Sequence, residues 1–285
     1  MKIGIIGKGF VGSAVEYGFS CNPKYKAIIK IYDKNPTRSL HSLDETVNES
    51  DVIFLSLPTP ANLDGTINLD IIENSLEEIS ICNKKNDNII LIRSTIIPGT
   101  CKIFTKKFKN LNIVFNPEFL TEKNANDDFL NQARIIIGGD KILTKKVANI
   151  YKWRFGKSIN IIETNFETAE LIKYMSNCFL ATKVSFMNEM KILSDKLGAE
   201  WDQTVKGFIA DPRIGDSHTN VPGLDGKLGF GGSCFPKDLQ AIINFAKSMD
   251  IDMHTLEGVW KTNLEIRPEK DWEKLEGRAI TKKVQ

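Results

Sequence analysis

No stretch of this 285-residue sequence approaches the ~18 consecutive apolar residues that a membrane-spanning helix needs, so no bilayer partner is expected. The N-terminus, MKIGIIGKGF, lacks the basic region, long apolar run and small-residue cleavage site of a secretory leader, and a cytoplasmic location is expected. An excess of one charge is also missing. The 38 basic and 36 acidic residues leave a net +2 and are spread along the chain, which excludes the electrostatic footprint of nucleic-acid binding and leaves a small molecule as the expected partner. Histidine is scarce: His41, His218 and His254 fall in no metal spacing and no triad order, so no metal centre is expected. The five cysteines, at 21, 82, 101, 178 and 234, form no CxxC pair, and their odd number argues against a complete disulfide framework. Repeats, low-complexity segments and Ser/Gly linkers are absent as well, so the roughly two domains that this length allows are expected to be joined rigidly.

What the chain does have is a series of short apolar runs between helical stretches: KIGIIG (2–7), AIIKIYD (27–33), DVIFLSL (51–57), NIILIRST (88–95), NIVFNPEF (112–119), RIIIGGD (134–140) and NIIET (160–164). Unbroken apolar runs suit strands covered by helices on both faces, and a doubly wound parallel sheet follows. From Phe166 to about Ala199 no Gly or Pro interrupts the chain until Gly198, which predicts a single long helix leaving the sheet domain. The expected fold class is α/β. A dinucleotide-binding domain over 1–165 is followed over 166–285 by the central helix and a smaller, mainly helical domain.

The first run leads into Gly7-Lys8-Gly9-Phe10-Val11-Gly12, a GxGxxG between a strand and a helix. In such a Rossmann-type loop the first glycine permits the tight turn, the second lets a pyrophosphate approach the backbone, and the third lets helix and strand pack closely. Asp33, at the end of the second run and about 20 residues past the loop, suits adenosine ribose hydroxyls and repels a 2′-phosphate, which favours NAD over NADP. Lys34 and Arg38 lie close by. A tight turn with an ordinary surface Asp is the alternative.

Two further segments follow strands: SLPTP (56–60), with Thr59, and RSTIIPG (93–99), with Thr95. Both are placed at the carboxyl ends of the sheet, where ligands bind; generic loop chemistry is the alternative for each. NPEFL (116–120) puts Glu118, Phe119 and Leu120 at a strand exit, with Glu122 four residues beyond Glu118; paired acids there suit base chemistry, although solvated surface carboxylates fit too. On the long helix Lys173 and Asn177 are four apart and share a face, so that an ammonium and an amide can converge on one developing oxyanion; a routine solvated Lys with a neighbouring Asn is the alternative. The stretch GFGGSCFPKD (229–238) sets Cys234 among Gly229, Phe230, Gly231 and Gly232, with Lys237 and Asp238 following. A thiol in a loop this rich in glycine reads as a nucleophile, with Lys237 one candidate for the charge that activates it. A small buried filler is the alternative.

Taken in order, GKGFVG, NPEFL, ELIKYMSNCFLATKVSFMNEM and GFGGSCFPKD resemble the nucleotide-sugar 6-dehydrogenase family over residues 1 to about 267. The resemblance implies that a primary alcohol of a nucleotide sugar, UDP-glucose first among candidates, is oxidised twice with NAD to a uronic acid. It makes Cys234 the catalytic thiol, with Lys173 and Asn177 holding the reacting oxygen and Asp238 assisting through a water. Glu122 becomes the base for the final hydrolysis, Glu118 and Thr95 support the site, and Lys237 lies near the cofactor. Gly7, Gly9, Phe10, Val11, Gly12, Asp33, Thr59, Thr95, Glu122 and Lys237 are the cofactor-site expectations. Glu118, Phe119, Leu120, Lys173, Asn177, Gly229, Phe230, Gly231 and Arg213 are those for the substrate, and Arg213, in DPRIG, matches a position that reaches a neighbouring subunit, so a homodimer built on the long helix is expected.

Two departures stand out. Thr121 occupies the place after NPEFL where the family usually has Arg, and the sequence ends in a charged stretch, EKDWEKLEGRAITKKVQ, that reads as helix instead of the family's third, nucleotide-gripping domain. Three readings remain open at this level: a compact nucleotide-sugar 6-dehydrogenase, a two-electron hydroxyacid dehydrogenase that leaves Cys234 without a task, and a silent subunit that depends on a partner chain.

Overall fold

The structure of the protein, a computed structural model, describes residues 1–282. The chain divides into two compact units: Met1–Thr59 with Leu69–Lys173, and Pro60–Asn68 with Tyr174 onward.

The first unit is a seven-stranded sheet in the order β2-β1-β3-β4-β5-β6-β7. Its strands are β1 Lys2–Ile6, β2 Ile28–Tyr32, β3 Val52–Leu55, β4 Ile89–Ile92, β5 Asn112–Phe115, β6 Ile135–Gly138 and β7 Ile161–Thr164, one in each expected run. Between them lie α1 Phe10–Ser20, α2 Leu43–Asn48, α3 Asp70–Cys82, α4 Thr100–Lys107, α5 Ala125–Leu130 and α6 Lys141–Phe155. Successive strand residues fall in different cores: Ile3, Ile5, Val52 and Phe54 pack with Val15, Phe19, Phe129 and Tyr151 on one face, and Ile6, Ile53, Leu55 and Ile92 pack with Ile72, Leu76 and Phe104 on the other. Two-sided cover is why these strands are unbroken apolar runs. Two expectations need correcting. The sheet is not wholly parallel, because β6 meets β5 antiparallel through Phe115 and Gly138 before pairing parallel with β7; strand direction depends on the route of the connection, here the NPEFL loop and the six-residue α5, and leaves no mark on an apolar run. In the edge strand β7 no residue is fully buried, since one partner and part of the helical cover are missing there.

The helix α7, Phe166–Leu197, begins where Asn165 caps it by accepting the Thr168 N–H at 2.9 Å and ends at Gly198, which takes a left-handed φ of +69°. In the second unit α7 is followed by α8 Trp201–Ile209, α9 Phe235–Lys247, α10 His254–Ile266 and a 3-10 turn at Asp271–Lys274. Among the described residues, the tail expected to be helical keeps only that 3-10 turn. Gly277, at φ +74°, turns the chain back so that its N–H reaches the Ile280 carbonyl at 2.7 Å, and the strap Pro60–Asn68 pairs with it: Ala61 donates to the Ala279 carbonyl at 2.9 Å and accepts from Thr281 at 2.8 Å. Glycine in the left-handed region ends helices far more readily than it continues them.

Candidate active site

The glycine turn of the first unit is built by backbone packed on backbone. Gly7 has φ +91°, and a Cβ there would stand 2.4 Å from the Ser56 carbonyl oxygen; at Gly12 it would stand 2.1 Å from that of Gly7. Gly9 is different, with nothing within 4 Å of where its Cβ would be. It is the N-cap of α1, which has no side-chain cap and no acidic residue in its first turn, so the N–H groups and the positive end of the helix dipole are left for an anion. Phe10 and Val11 open that helix. Asp33 accepts the Lys8 N–H at 2.7 Å and the Asn35 N–H at 2.8 Å, which sets a carboxylate beside the turn, while its neighbour Lys34 is paired with Glu78 at 3.5 Å. An open anion cradle with a flanking carboxylate fits a dinucleotide without a 2′-phosphate.

The loops after β3 and β4 are tied together. The Thr59 hydroxyl donates to the Thr95 carbonyl at 2.9 Å, and the Ser94 hydroxyl donates to the Leu57 carbonyl at 2.6 Å; both threonines are buried. Beyond β5, Asn116 anchors the NPEFL loop. Its amide donates to the Ile136 carbonyl at 2.8 Å, and its oxygen accepts from Arg93 at 2.6 Å. Arg93 also donates to the Tyr151 hydroxyl at 3.1 Å, and burial raises the Tyr151 phenol pKa against the pull of that cation. This buried trio has no signal in the sequence: Arg93 lies within a segment read for Thr95, and nothing in a sequence pairs it with Asn116.

Glu118 is buried and committed. Its carboxylate accepts the Leu120 N–H at 2.7 Å and the Lys173 ammonium at 3.1 Å, and its carbonyl accepts from Lys173 at 2.6 Å; the Phe119 ring centre lies 5.3 Å from the same ammonium. One turn before Lys173, Glu170 caps α4 from a distance by accepting the Gly99 and Cys101 N–H groups at 2.5 and 2.9 Å. Burial pushes its carboxyl above the ordinary range. Glu122 is exposed. Thr121, in the place of the expected Arg, ties its N–H and hydroxyl to Asp128 at 2.7 and 2.6 Å and so anchors the turn into α5.

In the second unit Cys234 is half-buried and is the N-cap of α9, with Pro236 within the first helical turn. The sulfur makes no capping bond to the helix N–H groups and lies 3.8 Å from the Ser233 hydroxyl, so what the helix offers it is the positive end of its dipole. Asp238, one turn on, is buried and accepts the Asn177 amide at 2.6 Å and the Lys237 ammonium at 2.5 Å. Of the pair expected to converge on one oxygen, Lys173 donates to Glu118 and Asn177 donates to Asp238. Lys237, the candidate charge for Cys234, carries its ammonium on Asp238. Arg213 is 86% exposed and paired with Asp211, two residues away, at 2.5 Å. Phe230 is buried beside Gly229. Among the described residues the five cysteines form no disulfide, no cluster of acidic, His or Cys side chains could hold a metal, and no helix is long and apolar enough to cross a membrane.

Comparison with known proteins adds an independent line. The model described as UDP-glucose/GDP-mannose dehydrogenase family, NAD binding domain, matches residues 23–154, and the family's central-domain model matches residues 167–265. A UDP-glucose 6-dehydrogenase of Rickettsia bellii is 34% identical over 93% of this chain and 67% of its own length. The chain belongs to the UDP-glucose/GDP-mannose dehydrogenase family. Its match to that family's NAD binding domain makes NAD its cofactor. A UDP-glucose dehydrogenase from Pyrobaculum islandicum has a similar structure, with TM-score 0.80 and 27% identity over 93% of this chain and 68% of that one. A Mycobacterium tuberculosis 3-hydroxyisobutyrate dehydrogenase shares the fold alone, at TM-score 0.74 and 17% identity over 94% of both chains. The chain spans between 31% and 68% of the length of the first curated relatives that it matches.

Proposed function

We propose that the protein oxidises the C6 primary alcohol of a nucleotide sugar, UDP-glucose in the first instance, to the carboxylate in two successive two-electron steps, through a thioester on Cys234. The observation that carries this reading is a cysteine at the N-cap of a helix, at the end of a glycine-rich loop, with Asp238 one turn on. A two-electron alcohol dehydrogenase has no use for a nucleophilic thiol. NAD, when bound, would supply the hydride acceptor, and a second NAD must replace the first NADH for the second oxidation.

The roles follow from the side chains. As hydride leaves the alcohol carbon, charge grows on its oxygen, and the Lys173 ammonium and Asn177 amide are the groups that stabilise it. The Cys234 sulfur then adds to the aldehyde carbon, giving a thiohemiacetal, and the second oxidation turns this into a thioester. Asp238, already bonded to Asn177 and Lys237, orients the amide and assists through a water. Glu122 is the base that activates the water for hydrolysis, a contribution of about 10²- to 10⁴-fold for general-base catalysis; its exposure suits a group that must draw water from solvent. The homologous UDP-glucose 6-dehydrogenases support the choice of substrate. The exposed apolar side chains Met175, Phe179, Phe186, Met190, Leu193 and Leu197 along α7 support a homodimer of this chain, which sedimentation at micromolar protein tests directly.

The decisive experiment counts NADH formed per sugar consumed when the protein is given NAD and a panel of nucleotide sugars. Two per sugar is expected. One per sugar favours the two-electron reading, and none with intact NAD binding favours a subunit that needs another chain.

A further inference from the structure

The loop that carries Cys234 is held by groups outside the residues assigned to the reaction. On α10, Asn263 is fully buried. Its side-chain oxygen accepts the Phe230 N–H at 2.7 Å and its amide donates to the Phe230 carbonyl at 3.0 Å, a two-point clasp of the kind one strand makes with another. From α7, Asn188 accepts the Gly229 N–H at 3.1 Å and fixes its own amide on the Val184 carbonyl at 2.8 Å. One turn past Asn263, Arg267 is 2% exposed and fills the space beside Gly231: a Cβ on that glycine would stand 2.5 Å from the guanidinium. Arg267 is itself locked, donating to Asp271 at 3.0 and 2.7 Å, to Asp225 at 2.7 Å and to the Leu228 carbonyl at 3.3 Å. Gly229 shows why the residue types match: with φ +66° and Asn263 Oδ1 2.5 Å from where its Cβ would be, it admits the clasp only because it has no side chain.

We infer that Asn263 and Arg267 are positioning residues for the Cys234 thiol, fixing the Phe230 and Gly231 backbone so that the chain enters α9 with the sulfur at the helix N-terminus. The inference rests on the nucleophilic role given to Cys234, but its test does not need turnover. Nothing in the clasp is redundant, since each backbone group of Phe230 has one side-chain partner, and Asn is the residue that supplies an acceptor and a donor from one planar group.

The test exploits that chemistry. An Asn263→Asp variant keeps the shape. When the new carboxyl is protonated it again offers one donor and one acceptor, and when ionised it offers acceptors only and sets a charge against the Phe230 carbonyl. Alkylation of Cys234 by iodoacetamide, read by mass spectrometry at that residue and divided by the wild-type rate at each pH, is expected to match wild type at low pH. It should slow about tenfold as the carboxyl ionises, the size of a one-unit change in thiolate availability. Among the groups bonded around the clasp, Asp271 is held to about 2 by Arg267 and Lys227, Asp225 is lowered against the cost of burial by its bond to Arg267, and Arg267, against its burial, and Lys227 are raised by their acidic partners. His218, packed on Phe235 and lowered from 6.5 by burial and Lys183, titrates alike in both proteins and cancels in the ratio. A ratio that is flat with pH, or alkylation that quickens, overturns the inference. Recovery at low pH also shows that the variant folds. In the active protein Asn263→Ala is expected to lower kcat about 100-fold, the cost of misplacing a reacting group by about an ångström, with NAD affinity unchanged. If the thiol test succeeds while two NADH per sugar are never formed, the proposed reaction fails and the positioning role stands.

Discussion

The two glycine loops of this protein answer to different constraints. In the Gly7–Gly12 turn the missing side chains make room for backbone: Gly7 faces the Ser56 carbonyl and Gly12 faces the carbonyl of Gly7. In the Gly229–Gly232 loop they make room for side chains from a distant helix, Asn263 against Gly229 and Arg267 against Gly231. The first loop is a strand, a turn and a helix within about a dozen residues, braced at Gly12 by its own Gly7 carbonyl and at Gly7 by the Ser56 carbonyl of the neighbouring strand exit. The second exists only because α10, more than 20 residues further along, returns to it. Local constraints repeat from protein to protein as motifs, whereas constraints imposed by a partner helix are specific to the fold that brings it.

The contrast can be broken or sharpened experimentally. The largest effect is expected from Cys234→Ser, which keeps the second loop intact and removes its chemistry: uronic acid formation should fall by roughly 10³-fold or more, as when a covalent nucleophile is lost, while NAD binding is retained. Full activity in that variant would sink the thioester route. Within the first loop, Gly12→Ala forces a methyl against backbone that cannot yield, and the loss of stability should reach the top of the about 1–3 kcal/mol typical of overpacking, read in a chemical melt. Gly9→Ala should behave oppositely: with open space around it, the melt stays as in wild type, but NAD binds about tenfold or more weakly, some 1.4 kcal/mol, because the methyl stands where the pyrophosphate approaches. A stability loss at Gly9, or unchanged affinity, would show that the cofactor lies elsewhere.

The smallest effect concerns the ion network behind the second loop. The Asp271 carboxyl is lowered from 3.8 to about 2, chiefly by its bond to Arg267. A carboxylate whose pKa is depressed on folding contributes stability that is complete above its unfolded value and is lost as pH falls through the folded one. The difference in stability between wild type and Asp271→Asn should therefore be constant above about pH 4 and close between pH 4 and 2. A difference that persists at pH 2 would remove Asp271 from the network.

Much of the sheet unit was legible in advance because its signals are short-range. Each strand sits in an apolar run, the glycine turn and Asp33 lie where the nucleotide pattern requires, and α7 spans the stretch without Gly or Pro. The antiparallel entry of β6 was not legible, because side-chain periodicity is the same for a strand running in either direction. The tail departs from expectation for a related reason: charge spacing in EKDWEKLEGRAI suits a helix, and Gly277 with the pairing partner Ala61, more than 200 residues earlier, decides otherwise. At the candidate site, residue types pointed to Cys234, Lys173, Asn177 and Asp238, yet the pairings of Lys173 with Glu118 and of Asn177 with Asp238 needed coordinates.

The sequence alone determined the family, the α/β sheet, the dinucleotide turn and the choice of a cysteine loop, since each depends on spacings within a few residues or on a motif that survives whole. Tertiary structure alone decided which group each of those side chains bonds, the direction of β6, and the roles of Arg93, Asn188, Asn263 and Arg267. Those are contacts between positions tens of residues apart, and hydrogen bonding and packing across such distances are set by how elements return to one another, which no local pattern records.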